Sequence, residues 1–324
     1  MASSLLKWYL WRCQRDRYTP RASGFTLIEL LVAMLIAGII ITTLLYAVVE
    51  LMGSNQRESA RTETQREMQL GLDYIASELR EAAYVYSGEC LEGGVGDVSV
   101  DPNTSCPGLV PNHIPLPDGT SEPILAMWKL EELPEAVRNL CTNNLAAAEA
   151  SGANCLSGKM YTLVVYFLST ENATNKWDGE ARIIRYALRP FDSNGNTTGG
   201  YLSPDVAESF QAWPYGRDNN NDVVNLQPAL PDAGIGAPLV DFVSIADPMT
   251  PDCPNDYDLS PNDTSPQTFY ACVRPADTGS GLNQDTIVHL KGNAKGKPGV
   301  TKDGFLPSLS SQVLSRGVVD KNPF

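Results

Sequence analysis

Residues 25–52 read FTLIELLVAMLIAGIIITTLLYAVVELM, and residues 30–49 are twenty positions with no charge and no proline. As a helix at about 1.5 Å per residue, such a run spans about 30 Å, the thickness of a bilayer's hydrocarbon core. Beyond Met52 the pattern turns amphipathic. Met68, Leu72, Ile75 and Leu79 follow at spacings of 4, 3 and 4, which places them on one helix face. Arg57, Glu58, Arg61, Glu63, Arg66, Glu67, Glu78 and Arg80 fill the other face. No proline occurs in residues 25–86, so the pattern predicts one helix of about sixty residues with Gly38, Gly53 and Gly71 as weak points. Its apolar stripe is too short for a coiled coil and is expected to pack on a sheet.

Later apolar runs predict strands at 124–130, 161–168, 182–188, 239–245, 269–274 and 285–290, with a weaker one at 312–319. Alternation is only partial in these runs, so the pattern does not assign a buried face. The connecting segments are rich in Asn, Asp, Gly and Pro, notably 192–200 and 217–222. A long helix followed by short strands predicts an α+β fold with an antiparallel sheet and long loops. The expected organisation is a leader at 1–24, the transmembrane half of the helix at 25–52, its amphipathic half at 53–86, and an outward-facing globular domain at 87–324.

Charge sharpens that division. The 324 residues carry a formal charge of −14, but the first 24 hold Lys7, Arg12, Arg15, Arg17 and Arg21 against Asp16 alone, a net of +4. The other 300 residues therefore sum to −18. Bases on the N-terminal flank keep that side cytoplasmic, so the C-terminal body is expected outside. An acidic body argues against a duplex-DNA reader, and no nucleic-acid partner is expected. With 43% hydrophobic residues, the chain is not disordered throughout. A secretory signal peptide has a shorter apolar region, about 7–15 residues. Glu29, five residues into the apolar stretch, is costly in lipid unless it finds a partner.

Ser23-Gly24-Phe25-Thr26-Leu27-Ile28-Glu29-Leu30-Leu31 resembles the class III signal of type IV pilins and type II secretion pseudopilins. The resemblance implies that a prepilin peptidase cuts after Gly24 and methylates the new N-terminal Phe25. It implies that Glu29 pairs with the N-terminal amine of a neighbouring subunit, so that each charge compensates the other's desolvation. It also implies other pilin or pseudopilin subunits and an inner-membrane assembly platform with its ATPase as partners. The outer domain resembles larger minor pilins of the PilW type, through residues 286–294 and 316–324, and also cyanobacterial pseudopilins. That second likeness is an analogy at the level of the fold.

Cys13 lies in the expected leader. Cys90, Cys106, Cys141, Cys155, Cys253 and Cys272 all lie in the outward part, where an oxidising compartment favours disulfides. Six cysteines allow 15 pairings. Spacing along the chain favours Cys90–Cys106, Cys141–Cys155 and Cys253–Cys272. No Cys-x-x-Cys pair is present, which argues against zinc.

Other motifs read as bland. Asp277-Thr278-Gly279-Ser280 has the short aspartic-protease pattern in one copy only, and a turn is expected. Residues 292–298, GNAKGKP, fail the phosphate-loop spacing and are expected to be a flexible basic loop. Lys291, Lys295, Lys297 and Lys302 form a basic cluster that is either solvated or meets an acidic subunit or anionic polysaccharide. Asp192 and Asn194 in one loop, and Asp218, Asn220 and Asp222 in another, are weak calcium ligands. Neither loop has the Gly and Glu of an EF-hand, so calcium requires another geometry. His113 and His289 are expected to be structural. Trp128, Trp177, Trp213 and Tyr215 leave open a glycan or surface ligand, with core packing the more common use of such residues.

The sequence thus points to a non-enzymatic pilin-like subunit of the inner membrane and of an extracellular fibre, with no cofactor or, at most, calcium. The alternative is a binding protein or enzyme on a single-pass anchor.

Overall fold

The computed structural model describes residues 24–102, 104–232, 236–276 and 284–315. The chain divides into two compact units, residues 1–54 and 55–324. The single-copy Asp277–Ser280 motif and the 316–324 segment lie outside the described residues, as do Cys13 and leader positions 1–23.

In the first unit Gly24, Phe25 and Thr26 are non-helical, and helix α1 (Leu27–Arg80) follows. All of residues 24–52 are exposed, an apolar surface suited to hydrocarbon rather than water. Thr42 and Thr43 donate their hydroxyls to carbonyls one turn back at 2.9–3.0 Å, so this stretch satisfies its own polar groups. Among the described residues α1 is the one helix long and apolar enough to cross a membrane.

In the second unit α1 buries Ala60, Thr64, Met68, Leu72, Ile75 and Leu79. Gly71 is a contact position rather than a weak point. A Cβ there would lie 2.1 Å from the Val240 side chain, so glycine lets the helix approach the sheet. The helix stops at Arg80, not at 86. The Glu81 N–H turns back to the Glu78 carbonyl, and the next residues form strand β1 (Ala82–Val85). Strand pairing overrides helix propensity here, because β1 gains a full partner in β2 (Glu122–Glu132). Gln284 then occupies both the N–H and the C=O of Val85, at 2.7 and 2.8 Å.

Helix α2 (Gly88–Glu92) follows β1, and α3 (Glu135–Asn143) and α4 (Leu145–Ala150) interrupt the connection from β2 to β3 (Lys159–Ser169). After β4 (Ala181–Leu188) come a small hairpin, β5 (Tyr215–Arg217) and β6 (Val223–Asn225), and then β7 (Ala237–Val243). The main sheet is antiparallel in the order β1-β2-β3-β4-β7. The late strands β8 (Asp258–Ser260), β9 (Phe269–Val273), β10 (Asp285–Leu290) and β11 (Leu309–Leu314) form a second antiparallel sheet in the order β11-β10-β9-β8. The α+β class with antiparallel sheets and a long N-terminal helix is as the sequence predicts. The second sheet and helices α2–α4 are additions. The strand expected at 312–319 begins earlier, at Leu309, and its positions beyond 315 are not among the described residues.

The partial alternation in the strand runs has a structural cause: both faces of the main sheet are buried. Met127, Val164, Tyr166 and Ile183 join α1 and the second sheet in one core. Trp128, Leu163, Val165, Phe167 and Tyr186 face a second core closed by residues 86–114 and 201–213.

Candidate functional site

The expected processing residues stand where the chain enters α1. Phe25 is 80% exposed. The Glu29 amide donates to the Thr26 carbonyl at 3.1 Å and to Thr26 Oγ1 at 3.4 Å, so Thr26 caps the helix. Thr26 and Glu29 have the spacing of a capping box, a signal present in the sequence itself. Gly24 and Phe25 therefore precede the helix, in non-helical chain. The Glu29 side chain has no ion-pair partner among the described residues and borders a shallow apolar hollow with Ile28, Val32, Ala33 and Ile36.

A second carboxylate of α1 behaves differently. Glu78 is buried and accepts bonds from Arg185 Nε and Nη2 at 2.8 and 2.7 Å and from the Tyr166 hydroxyl. Lys129 Nζ stands 2.7 Å from it. Glu131 continues the network, accepting from Arg189 Nε at 2.7 Å and Thr162 Oγ1 at 2.8 Å. Burial alone would push the Glu78 carboxyl up, but Arg185, Lys129 and Tyr166 hold it below the usual range. The Glu131 carboxyl is likewise held down at about 2, mainly by Arg189 and Lys129 against burial. This network ties α1 to β2, β3 and β4. Sequence reading placed Glu78 on the polar face, because contacts from three distant strands are invisible to helical periodicity.

A third group of carboxylates lies where α2 meets β2 and β8. Burial and Asp263 push Glu92 up, burial with Glu92 and Asp263 pushes Glu122 up, and burial with Glu89 raises Asp258.

The structure joins Cys90 to Cys106, Cys141 to Cys155 and Cys253 to Cys272, each with Cα atoms 5.5 Å apart. Asp192 Oδ1 accepts the amides of Asn194 and Asn196, both at 2.8 Å, and Asp218 Oδ1 accepts those of Asn220 and Asp222 at 2.8 and 2.9 Å. Among the described residues no group of three His, Cys, Asp or Glu side chains gathers in a way that would hold a metal ion.

The basic cluster is largely committed within the domain. Lys291 pairs with Asp247, Lys295 with Glu180 and Asp303, and Lys297 with Glu63 and Glu67. Lys291, Lys295 and Lys297 are thus ion-paired within the domain rather than free in the flexible basic loop expected over 292–298, while Lys302 is exposed. Trp128 and Trp213 are fully buried and donate to Tyr86 Oη and the Leu202 carbonyl, so neither presents a face to a glycan. Trp177 is half-buried under the Arg182 guanidinium, 4.9 Å from its ring centroid. His113 is buried beside Gln227 and Trp213, and His289 stacks on Tyr270 with ring centroids 4.5 Å apart. Burial lowers the pKa of both histidines.

Residues 19–45 match the family model described as the prokaryotic N-terminal methylation motif. No curated protein and no solved structure matches the chain. The chain therefore carries a type IV pilin-like N-terminus on an apolar helix of membrane-spanning length, consistent with a single-pass anchor.

Proposed function

We propose that this protein is a minor pilin or pseudopilin. On this reading prepilin peptidase cuts between Gly24 and Phe25 and methylates Phe25. The inner-membrane platform then draws the helix from lipid into a fibre. One observation carries the reading: the methylation motif at 19–45 surrounds a non-helical Gly24–Phe25 pair directly ahead of the apolar helix. Glu29, without an ion-pair partner among the described residues, is then completed by a neighbour's N-terminal amine. The large disulfide-bearing outer domain suits a minor subunit better than a repeated one, because its bulk obstructs packing on all sides.

N-terminal mass spectrometry of the protein from native membranes or sheared fibres tests this. The expected terminus is N-methyl-Phe25. An intact leader, or a cut beyond the apolar run, rejects the reading in favour of an anchored binding protein or enzyme.

A further inference from the structure

The segment joining β10 to β11 closes on itself at its base, where the Leu306 amide donates to the Gly292 carbonyl at 3.2 Å. Asn293 organises its interior. Asn293 Oδ1 accepts the Gly304 and Lys295 amides at 2.8 and 3.1 Å, and Nδ2 donates to Glu180 and Asp303. This compact loop lies against the stretch of α1 from Gln56 to Met68. Two glycines allow the approach: a Cβ on Gly292 would meet Met68 Cγ at 2.8 Å, and one on Gly299 would meet Gln56 Cβ at 3.1 Å.

Little apolar surface holds the contact. Its cluster is Ala60 with Ala294 and Val300. The fastening to α1 is ionic, while Gly292 and Asn293 pair with the backbone at Val243 and Phe242 at the loop's base. Lys297 Nζ stands 3.2 Å from Glu63, 3.0 Å from Glu67 and 4.6 Å from the Phe242 ring centroid. Phe242 itself has φ +63°, a strained conformation for an aromatic residue. Solvent reaches the acids, whose side chains are 59% and 40% exposed. The α1 stretch from Leu72 to Leu79 is instead buried in the main core with both sheets.

We propose that the 292–305 loop is an ion-paired strap over the Ala60–Met68 face of α1, opening to expose that face when Lys297 loses its partners. A segment with few apolar contacts and solvent-exposed ion pairs opens at a lower free energy than the core around it. The strap is independent of the pilin reading, since every contact in it is made within the second unit.

Thiol labelling of the full chain in lipid nanodiscs tests the strap, in a Cys13→Ser background. Ala60→Cys reports from beneath the strap and Ala76→Cys from the main core. With salt raised from about 0.05 M to about 1 M, labelling at position 60 should quicken about five- to tenfold, because exposed pairs are screened. Lys297→Ala should give the same acceleration at low salt and reduce the salt dependence to the part carried by the Lys295 pairs with Glu180 and Asp303. Position 76 should respond to neither change. If Ala60→Cys fails to fold, Val300→Cys reads the same event from the strap side. Labelling indifferent to both salt and Lys297→Ala overturns the proposal, as does labelling at the free-thiol rate at low salt.

Discussion

Two carboxylates on one helix, Glu29 and Glu78, face the same physical problem and meet it in opposite ways. Glu29 stands in the apolar stretch of α1 and Glu78 is buried under the sheet, two settings where an isolated charge is costly. Glu78 finds Lys129, Arg185 and Tyr166 within its own domain. The Glu29 carboxylate has no ion-pair partner among the described residues; its backbone amide alone joins the Thr26 cap. Glu78 is thus compensated within the second unit, while among the described residues of the first unit no basic group faces Glu29. That asymmetry is what the proposed pilin role would use: one acid settled inside the domain and one left for a neighbour.

The largest effects should come from exchanging these roles. Glu78→Ala leaves the buried Lys129 and Arg185 to share Glu131, at 3.1 and 3.8 Å, and breaking such a buried network costs up to about 3–5 kcal/mol. Thermal unfolding should show a large drop in midpoint, with Gly24–Phe25 processing unchanged. Glu29→Ala should do the reverse, leaving the melting curve in place and removing the protein from sheared fibres. The contrast fails if Glu29→Ala lowers the melting midpoint, or if Glu78→Ala leaves it untouched.

How far these roles could be read in advance differs between the two. The Gly24–Glu29 signal and the membrane-length run are local, so composition and spacing reveal them. The disulfide partners are close in sequence, at separations of 14, 16 and 19, and proximity along the chain was a sufficient guide to them. Glu78 was not legible, because its partners come from β2, β3 and β4. Nor was β1, since Ala82–Val85 takes its conformation from a partner forty residues on. Lys297 likewise looked solvated because its acids, Glu63 and Glu67, lie more than two hundred residues earlier.

An effect of intermediate size should appear with pH, and its sign separates the paired from the unpaired acids. Glu131 has its folded pKa depressed to about 2 from 4.5, so its contribution is present above pH 4.5 and is lost as pH falls toward 2. The shift corresponds to roughly 3 kcal/mol. Glu92, Glu122 and Asp258 have raised values, so their ionised forms destabilise the fold at neutral pH, and that penalty is relieved on acidification. Denaturant unfolding across pH should show an acid limb below pH 4.5, and above it the relief of the raised acids opposed by His113 and His289, whose lowered values cost stability as pH falls through 6.5. Glu122→Gln should raise stability near pH 7 relative to the parent protein and leave the acid limb alone. A Glu122→Gln variant no more stable than the parent at pH 7 contradicts this assignment.

The smallest effect concerns acids that neither network includes. Asp192 and Asp218 each spend a carboxylate oxygen on two amides of their own turns. Asn196, through its side chain and its amide, holds the Asp192 carboxyl below the usual range. A cation bound there has to compete with those amides and gather further oxygens, since calcium takes six to eight oxygen ligands. Melting in calcium should therefore coincide with melting in EDTA. An upward shift with calcium that is lost in both Asp192→Ala and Asp218→Ala would show these turns rearranging around a bound ion. The acids of this domain would then divide into three kinds: those completed by basic side chains, those completed by their own backbone, and those completed by something brought from outside.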